Sequence, residues 1–129
     1  MNQFKKWVVS VLAILMLELP VVGSTVVTAQ KATERTVTVT YVLQRNSKQF
    51  ARKKVHVKQG AVVLTGLKHA WHVRMKKGMV TAIDGRSQNT AKKTYWMYKV
   101  DGKEATKGVT QEKVRNHDTV TFNLKRVNE

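Results

Sequence analysis

The sequence predicts an α+β fold, a mixed sheet packed on a single helix, behind an N-terminal signal peptide. Three observations predict it. Residues 36–43 and 119–127 alternate apolar and polar side chains with a period of two, the signature of half-buried strands. Residues 61–72 change to helical spacing. Asp-Gly pairs at 84–85 and 101–102 mark tight turns in the strand-rich second half.

The first 29 residues read as an address. Lys5 and Lys6 precede an apolar run from Trp7 to Leu17, broken only by Ser10; Glu18 and Pro20 interrupt it, and Val21 to Ala29 is small and mildly apolar. That order makes a secretory signal peptide, with cleavage expected after Ala29 and a cut near Gly23 or Ser24 as second choice. The competing reading is a retained anchor, because Trp7 to Val27 reaches the roughly 20 residues a spanning helix needs. Glu18 inside a bilayer would cost about 2.5–3.5 kcal/mol, and Pro20 opposes a straight helix, which favours cleavage. The expected organisation is a signal peptide at 1–29, a flexible lead-in at 30–35 and one domain at 36–129, secreted and associated with the cell envelope.

Thr36 to Leu43 is the first strand, with Val37, Val39, Tyr41 and Leu43 on one side and threonines on the other. Arg45-Asn46-Ser47-Lys48 supplies a turn, and Gln49 to Val57 returns as the second strand. Val63, Leu64, Leu67, Ala70 and Trp71 then define the apolar face of a helix over 61–72. Gly66 weakens it by about 1 kcal/mol relative to Ala. Val73 to Gly78 reads as a basic connector, Met79 to Ile83 as a short strand, and Arg86 to Lys93 as a polar loop. Tyr95 to Val100 and Lys103 to Ala105 form a hairpin across Asp101-Gly102. Thr106 to Asn116 reads as a loop anchored by Val109 and Val114, before the last strand turns Val120, Phe122 and Leu124 inward. A lone helix among strands must bury its apolar face on the sheet, which suggests a β-grasp-like roll.

Four of these pieces recur together in one order: Thr36-Val-Thr-Val-Thr; a helix opening at Gly60 and running through Leu64 and Leu67; Val80-Thr-Ala-Ile-Asp-Gly85; and Tyr95-Trp-Met-Tyr-Lys-Val-Asp-Gly-Lys103, ahead of a strand entered through Asp118. The chain from residue 36 onward thereby resembles the transcobalamin-like C-terminal domain family, small domains common in secreted Gram-positive proteins. In that family's cobalamin transporters the domain closes over a cobalamin, with an aromatic hairpin near the ligand. The resemblance implies a candidate small-molecule hairpin made of Trp96, Tyr98, Lys99, Asp101 and Lys103. The family usually enters its last strand through Gly-Asp; here Asn116-His117-Asp118 stands instead.

Composition sets the other expectations. The 129 residues carry 24 Lys and Arg against 8 Asp and Glu, a net charge of +16, and no Cys. The missing Cys excludes disulfides, thiol catalysis, Cys-based zinc sites and a lipid-modified N-terminal Cys, and suits a Gram-positive exporter. The C-terminal Lys125 to Glu129 contains no sorting motif, so no covalent wall or lipid anchor is expected. His69 and His72, with Asp84 or His117, lack a third ligand at fixed spacing, so no metal is expected. Ser47 and Ser87 lack a nucleophile motif, and scattered acids do not pair for glycoside cleavage. The expectation is a non-enzymatic protein without cofactor. The basic excess points to anionic polymers or lipid headgroups, contacted by Arg52, Lys53, Lys54, Arg74, Lys76, Lys77, Lys92, Lys93, Lys125 and Arg126. A small-molecule ligand and extracellular nucleic acid are the rival partners. On the strand at 95–100, Tyr95, Met97 and Lys99 should face solvent, with Trp96, Tyr98 and Val100 facing the core.

Overall fold

The computed structural model describes residues 35–128; the signal peptide and its cleavage site lie outside them. The opening alternation becomes β1 (Thr36–Arg45), which turns through Asn46-Ser47 into β2 (Lys48–Lys58). Both turn residues have positive φ, 49° and 67°, the backbone whose twist matches paired strands. The pairing shifts register at Leu43/Gln44, leaving Phe50 as the extra residue of a bulge.

Helix α1 (Val63–Ala70) follows and packs on β1 and β2. It is shorter than the expected 61–72, because Val62 and Trp71 are both extended. Val62 offers no capping side chain. Carbonyls of a distant loop replace it: Val63 N–H donates to Glu112 O at 2.8 Å and Leu64 N–H to Val109 O at 3.0 Å, satisfying donors that every helix start leaves open.

Two stretches correct the sequence reading. The connector at 73–78 is strand β3 (Val73–Lys76), and it pairs with β4 (Met79–Ile83). The polar loop at 86–93 holds β5 (Arg86–Ser87) and a 3-10 turn at Thr90–Lys92 capped by Asn89. β3 has only Val73 and Met75 as inward residues, too few to show a period. β5 has no apolar residue at all. Together β3, β4 and β5 form a small second sheet.

The main sheet continues with β6 (Thr94–Val100), β7 (Lys103–Glu104) and β8 (Thr119–Arg126). Its order is β2-β1-β8-β6-β7, with β1 and β8 parallel and the rest antiparallel. The fold is therefore α+β with a mixed sheet, as expected. Tyr41, Leu43, Leu67, Ile83, Val120 and Phe122 are fully buried at its centre, on the side covered by α1. The Tyr41 hydroxyl donates to Val63 O at 2.8 Å. Its ring lies under Gly66, where any Cβ would collide with it. The glycine that weakens the helix locally is what lets the helix approach the sheet.

Among the described residues no helix is long and apolar enough to cross a membrane.

Candidate functional site

The Asp101-Gly102 turn fixes the edge of the site. Asp101 (φ 51°) and Gly102 (φ 82°) are both left-handed, which folds β7 tightly back on β6. Asp101 Oδ1 accepts from Thr119 N–H at 2.8 Å, and Asp101 N–H donates to Thr119 O at 2.8 Å. The hairpin tip is thus tied to the start of β8. Facing it is the segment 105–118, held to the core by Val109 and Val114, the two anchors its sequence suggested.

Between hairpin and segment lies an open groove of about 1140 Å³. Asp101, Lys103 and Glu104 line one side, Glu112, Arg115 and Asn116 the other, and Val37, Val100 and Val114 form apolar patches. Asp118 sits at its wall with 8% exposure. Its Oδ2 accepts from Arg115 N–H at 2.8 Å. Burial pushes its carboxyl above the usual range, and the hydrogen bond to the Asp101 side chain adds to that rise; the Arg115 N–H works against both. The groove therefore offers carboxylates, cations and amides around apolar patches, a lining suited to hold a polar ligand by hydrogen bonds.

The candidate hairpin residues divide. Asp101 and Lys103 line the groove. Trp96 lies in the core at 7% exposure; its Nε1–H donates to Arg86 O at 2.9 Å, joining the two sheets. Tyr98 stacks on Phe122, with ring centroids 5.1 Å apart, and donates to Lys107 O at 2.6 Å. Burial first, and the Glu112 charge second, push its hydroxyl up to about 12. Lys99 points to the opposite face of the sheet, with Met97. In the sequence the groove wall reads as loop to Asn116, with Val114 as an anchor and Asn116-His117-Asp118 as the entry to the last strand; Glu112 and Arg115 were not singled out.

The basic residues also separate. Arg52 and Lys54 lie on the face of the main sheet away from α1, as does Lys125. Lys53 points the other way: its Nζ donates to Ala70 O at 2.8 Å and lies 5.5 Å from the Trp71 ring centroid. It stabilises the C-terminal end of α1, where the helix dipole favours a cation. Arg74 and Lys76 project from β3, Lys77 occupies the β3–β4 turn, Lys92 ends the 3-10 turn and Lys93 follows it, and Arg126 lies beside Thr94. His69 Nδ1 lies 2.9 Å from Thr65 O. No three metal-ligating side chains cluster among the described residues.

Comparisons with known proteins bear on fold and family. The solved structure of haptocorrin in complex with Cbi is similar over 71% of this chain, with 21% identity and a TM-score of 0.61. This chain spans 26% of that one. A candidate metal-binding protein from Ruminococcus gnavus ATCC 29149 matches over 71% of this chain and 99% of its own, with 13% identity and a TM-score of 0.55. At these identities the likeness shows the fold alone. No curated protein matches the chain. A family model described as "Domain of unknown function (DUF4430)" matches residues 60–126, just over half of the chain.

Proposed function

The chain belongs to the family described as Domain of unknown function (DUF4430), and on that premise we propose that it is a non-enzymatic, β-grasp-like binding domain that holds a small polar ligand in the groove beside the Asp101-Gly102 turn. The observation that carries this reading is the groove itself, about 1140 Å³, somewhat larger than the roughly 300–1,000 Å³ usual for ligand sites. The structural neighbour in complex with Cbi supports a corrinoid-like ligand as the first probe. Two of the groove's acids, Asp101 and Asp118, serve as acceptors for backbone N–H groups, which suits holding more than reacting. Titrating the full chain with cobinamide and with cobalamin by calorimetry tests this. Saturable binding, weakened about tenfold in a Lys103→Ala, Asp101→Asn double variant, is expected; losing two charge-assisted contacts costs at least that much. Absence of any binding near about 1 mM, a free energy of only about −4 kcal/mol, would reject a corrinoid ligand.

A second reading concerns the surface. The net charge of +16 favours an exported protein held at the cell envelope by basic contacts to anionic polymers or lipid headgroups. Such binding releases counterions and weakens steeply with salt. Intact cells washed in rising NaCl should lose the protein before about 1 M, where the Debye length is about 3 Å.

A further inference from the structure

We infer that the uncovered face of the five-stranded sheet is the docking surface for a linear polyol-phosphate polymer, held between two cationic borders. The inference rests on the surface reading above and names its face and its polymer. Side chains of alternate residues point away from α1. On β2 these include Arg52 and Lys54; on β8 and β6 they are Lys125 and Lys99. The register sets Arg52, Val42, Thr121 and Lys99 in one row across four strands, with Lys54, Thr40 and Thr119 in the next. Three strand spacings of about 4.8 Å put roughly 14 Å between the borders. Between them stand the half-buried Thr119 and Thr121, whose hydroxyls can donate to a phosphate oxygen; Thr40 and Val42 beside them are buried, and the Thr38 hydroxyl lies 3.0 Å from His56 Nδ1. Beside Lys99 and Lys125 the face dips into a depression of about 110 Å³ that includes Thr121 and Asn123. That is the volume of roughly three to four waters, room for a phosphate and part of its linker. None of Arg52, Lys54, Lys99 and Lys125 is engaged in an ion pair among the described residues. Glu104, opposite Lys99, also lines this depression, so a phosphate there would sit on the Lys125 side, away from the carboxylate.

Basic residues on a strand can have a simpler purpose, since edge strands carry lysine to block pairing with other chains. That accounts for β2, an edge of this sheet. It does not account for Lys99, which has paired neighbours on both sides, Thr121 on β8 and Glu104 on β7. The polymer class follows from what the face presents. Bases need aromatic rings to stack on; Trp96, Tyr98 and Phe122 all point to the covered side, and the open face carries a single such ring, the half-buried Tyr95 beside Lys125, too little for successive bases. A bilayer needs an apolar surface to insert, and the large exposed apolar side chain here is Met97 at 40%. A flexible phosphodiester without bases matches hydroxyls between cations.

The test measures binding of the full chain to poly(glycerol phosphate), to single-stranded DNA of equal charge and to phosphatidylglycerol vesicles, at several salt concentrations. One variant carries Arg52→Gln, Lys54→Gln, Lys99→Gln and Lys125→Gln. A control carries Arg74→Gln, Lys76→Gln, Lys77→Gln and Lys92→Gln, the same charge change elsewhere. The face variant should lose at least about 30-fold in polymer affinity, and its log–log salt slope should fall by about 3, near 0.7 per lost contact. The control should lose less than about threefold. Thermal melting of both variants checks folding, and a fully Lys/Arg-conserving swap of the same face positions should restore affinity. Equal losses in the two variants would overturn the face while leaving the surface reading intact. No polymer binding by the unmodified chain would overturn both. Tighter binding to DNA or to vesicles than to the polymer would overturn the polymer class.

Discussion

On the covered face of the main sheet, β1 contributes Val39, Tyr41 and Leu43, none with any solvent exposure. One residue along the same strand, Thr38 and Gln44 are half-buried and polar, on the face shared with Arg52 and Lys54. The two faces come from one set of strands and differ only in the parity of the residue number. What they teach is that packing and charge have been kept on opposite sides, so each can be altered with little effect on the other. Thr40 and Val42 refine this: they lie on the open face yet are buried, on a strand flanked by β2 on one side and β8 on the other.

The largest contrast should come from adjacent turns of β6. Trp96→Ala removes a core side chain and the bond from its Nε1 to Arg86 O, and should cost about 3–5 kcal/mol in urea denaturation. Lys99→Gln, three residues along and on the open face, should move the same measurement by less than about 0.5 kcal/mol. A comparable loss from both would break the division between faces.

Gly66→Ala comes next. Its Cβ would meet the Tyr41 ring in a core with no space to give. Overpacking of that kind costs about 1–3 kcal/mol, and the helix propensity gained returns about 1. A net loss of about 1 kcal/mol, up to about 2, is expected, where an exposed helical glycine would show a gain. A stabilised Gly66→Ala would mean that α1 sits farther from the sheet than the structure places it.

How much of this was legible in the sequence depends on whether a contact is local. Alternation in Thr36–Leu43 and Thr119–Val127 gave the strands and their inward sides, since period two is a property of the strand itself. The face of Trp96 followed in the same way. Gly66 was read as a cost because its reason, Tyr41, lies 25 positions away. β3 and β5 were missed because two or fewer apolar residues show no period. The segment 106–116 was read as loop, because its order comes from the Val109 and Glu112 carbonyls docking on the start of α1, which no side chain there announces. The ten basic positions were legible as charge, but only the register sorted them, sending Lys53 to the helix end and Arg52 to the open face.

Asp118 tests the boundary between the faces, where a carboxyl is buried just ahead of β8. A folded-state pKa raised by burial means that the protonated form is the one the fold prefers. That contribution is fully present below the ordinary Asp value of about 3.9 and is lost as pH rises through the higher folded value. Asp118→Asn keeps an acceptor for Arg115 N–H and offers a donor to Asp101. It should therefore raise the denaturation midpoint at pH 7, with the advantage shrinking as the pH approaches 4. A lower midpoint at neutral pH would show that the charged carboxylate is needed there.

The smallest effect is expected at His117, where the chain passes into β8. Its φ is 70°, a left-handed conformation that costs an L-residue roughly 1–2 kcal/mol, and the backbone there is pinned, His117 N–H donating to Thr38 O at 2.7 Å. Asn116 Oδ1 accepts from Thr38 N–H at 2.9 Å beside it, so the turn is held by backbone and Asn116 rather than by the exposed imidazole. Glycine relieves the left-handed cost but gives back about 0.5–1 kcal/mol through the freer unfolded chain. His117→Gly should therefore stabilise by about 0.5 kcal/mol, seen as a higher urea midpoint at unchanged slope, while His117→Ala should not stabilise. Gly destabilising here would show that the imidazole itself holds β1 to β8, and that the entry to the central strand depends on a side chain and not on its backbone.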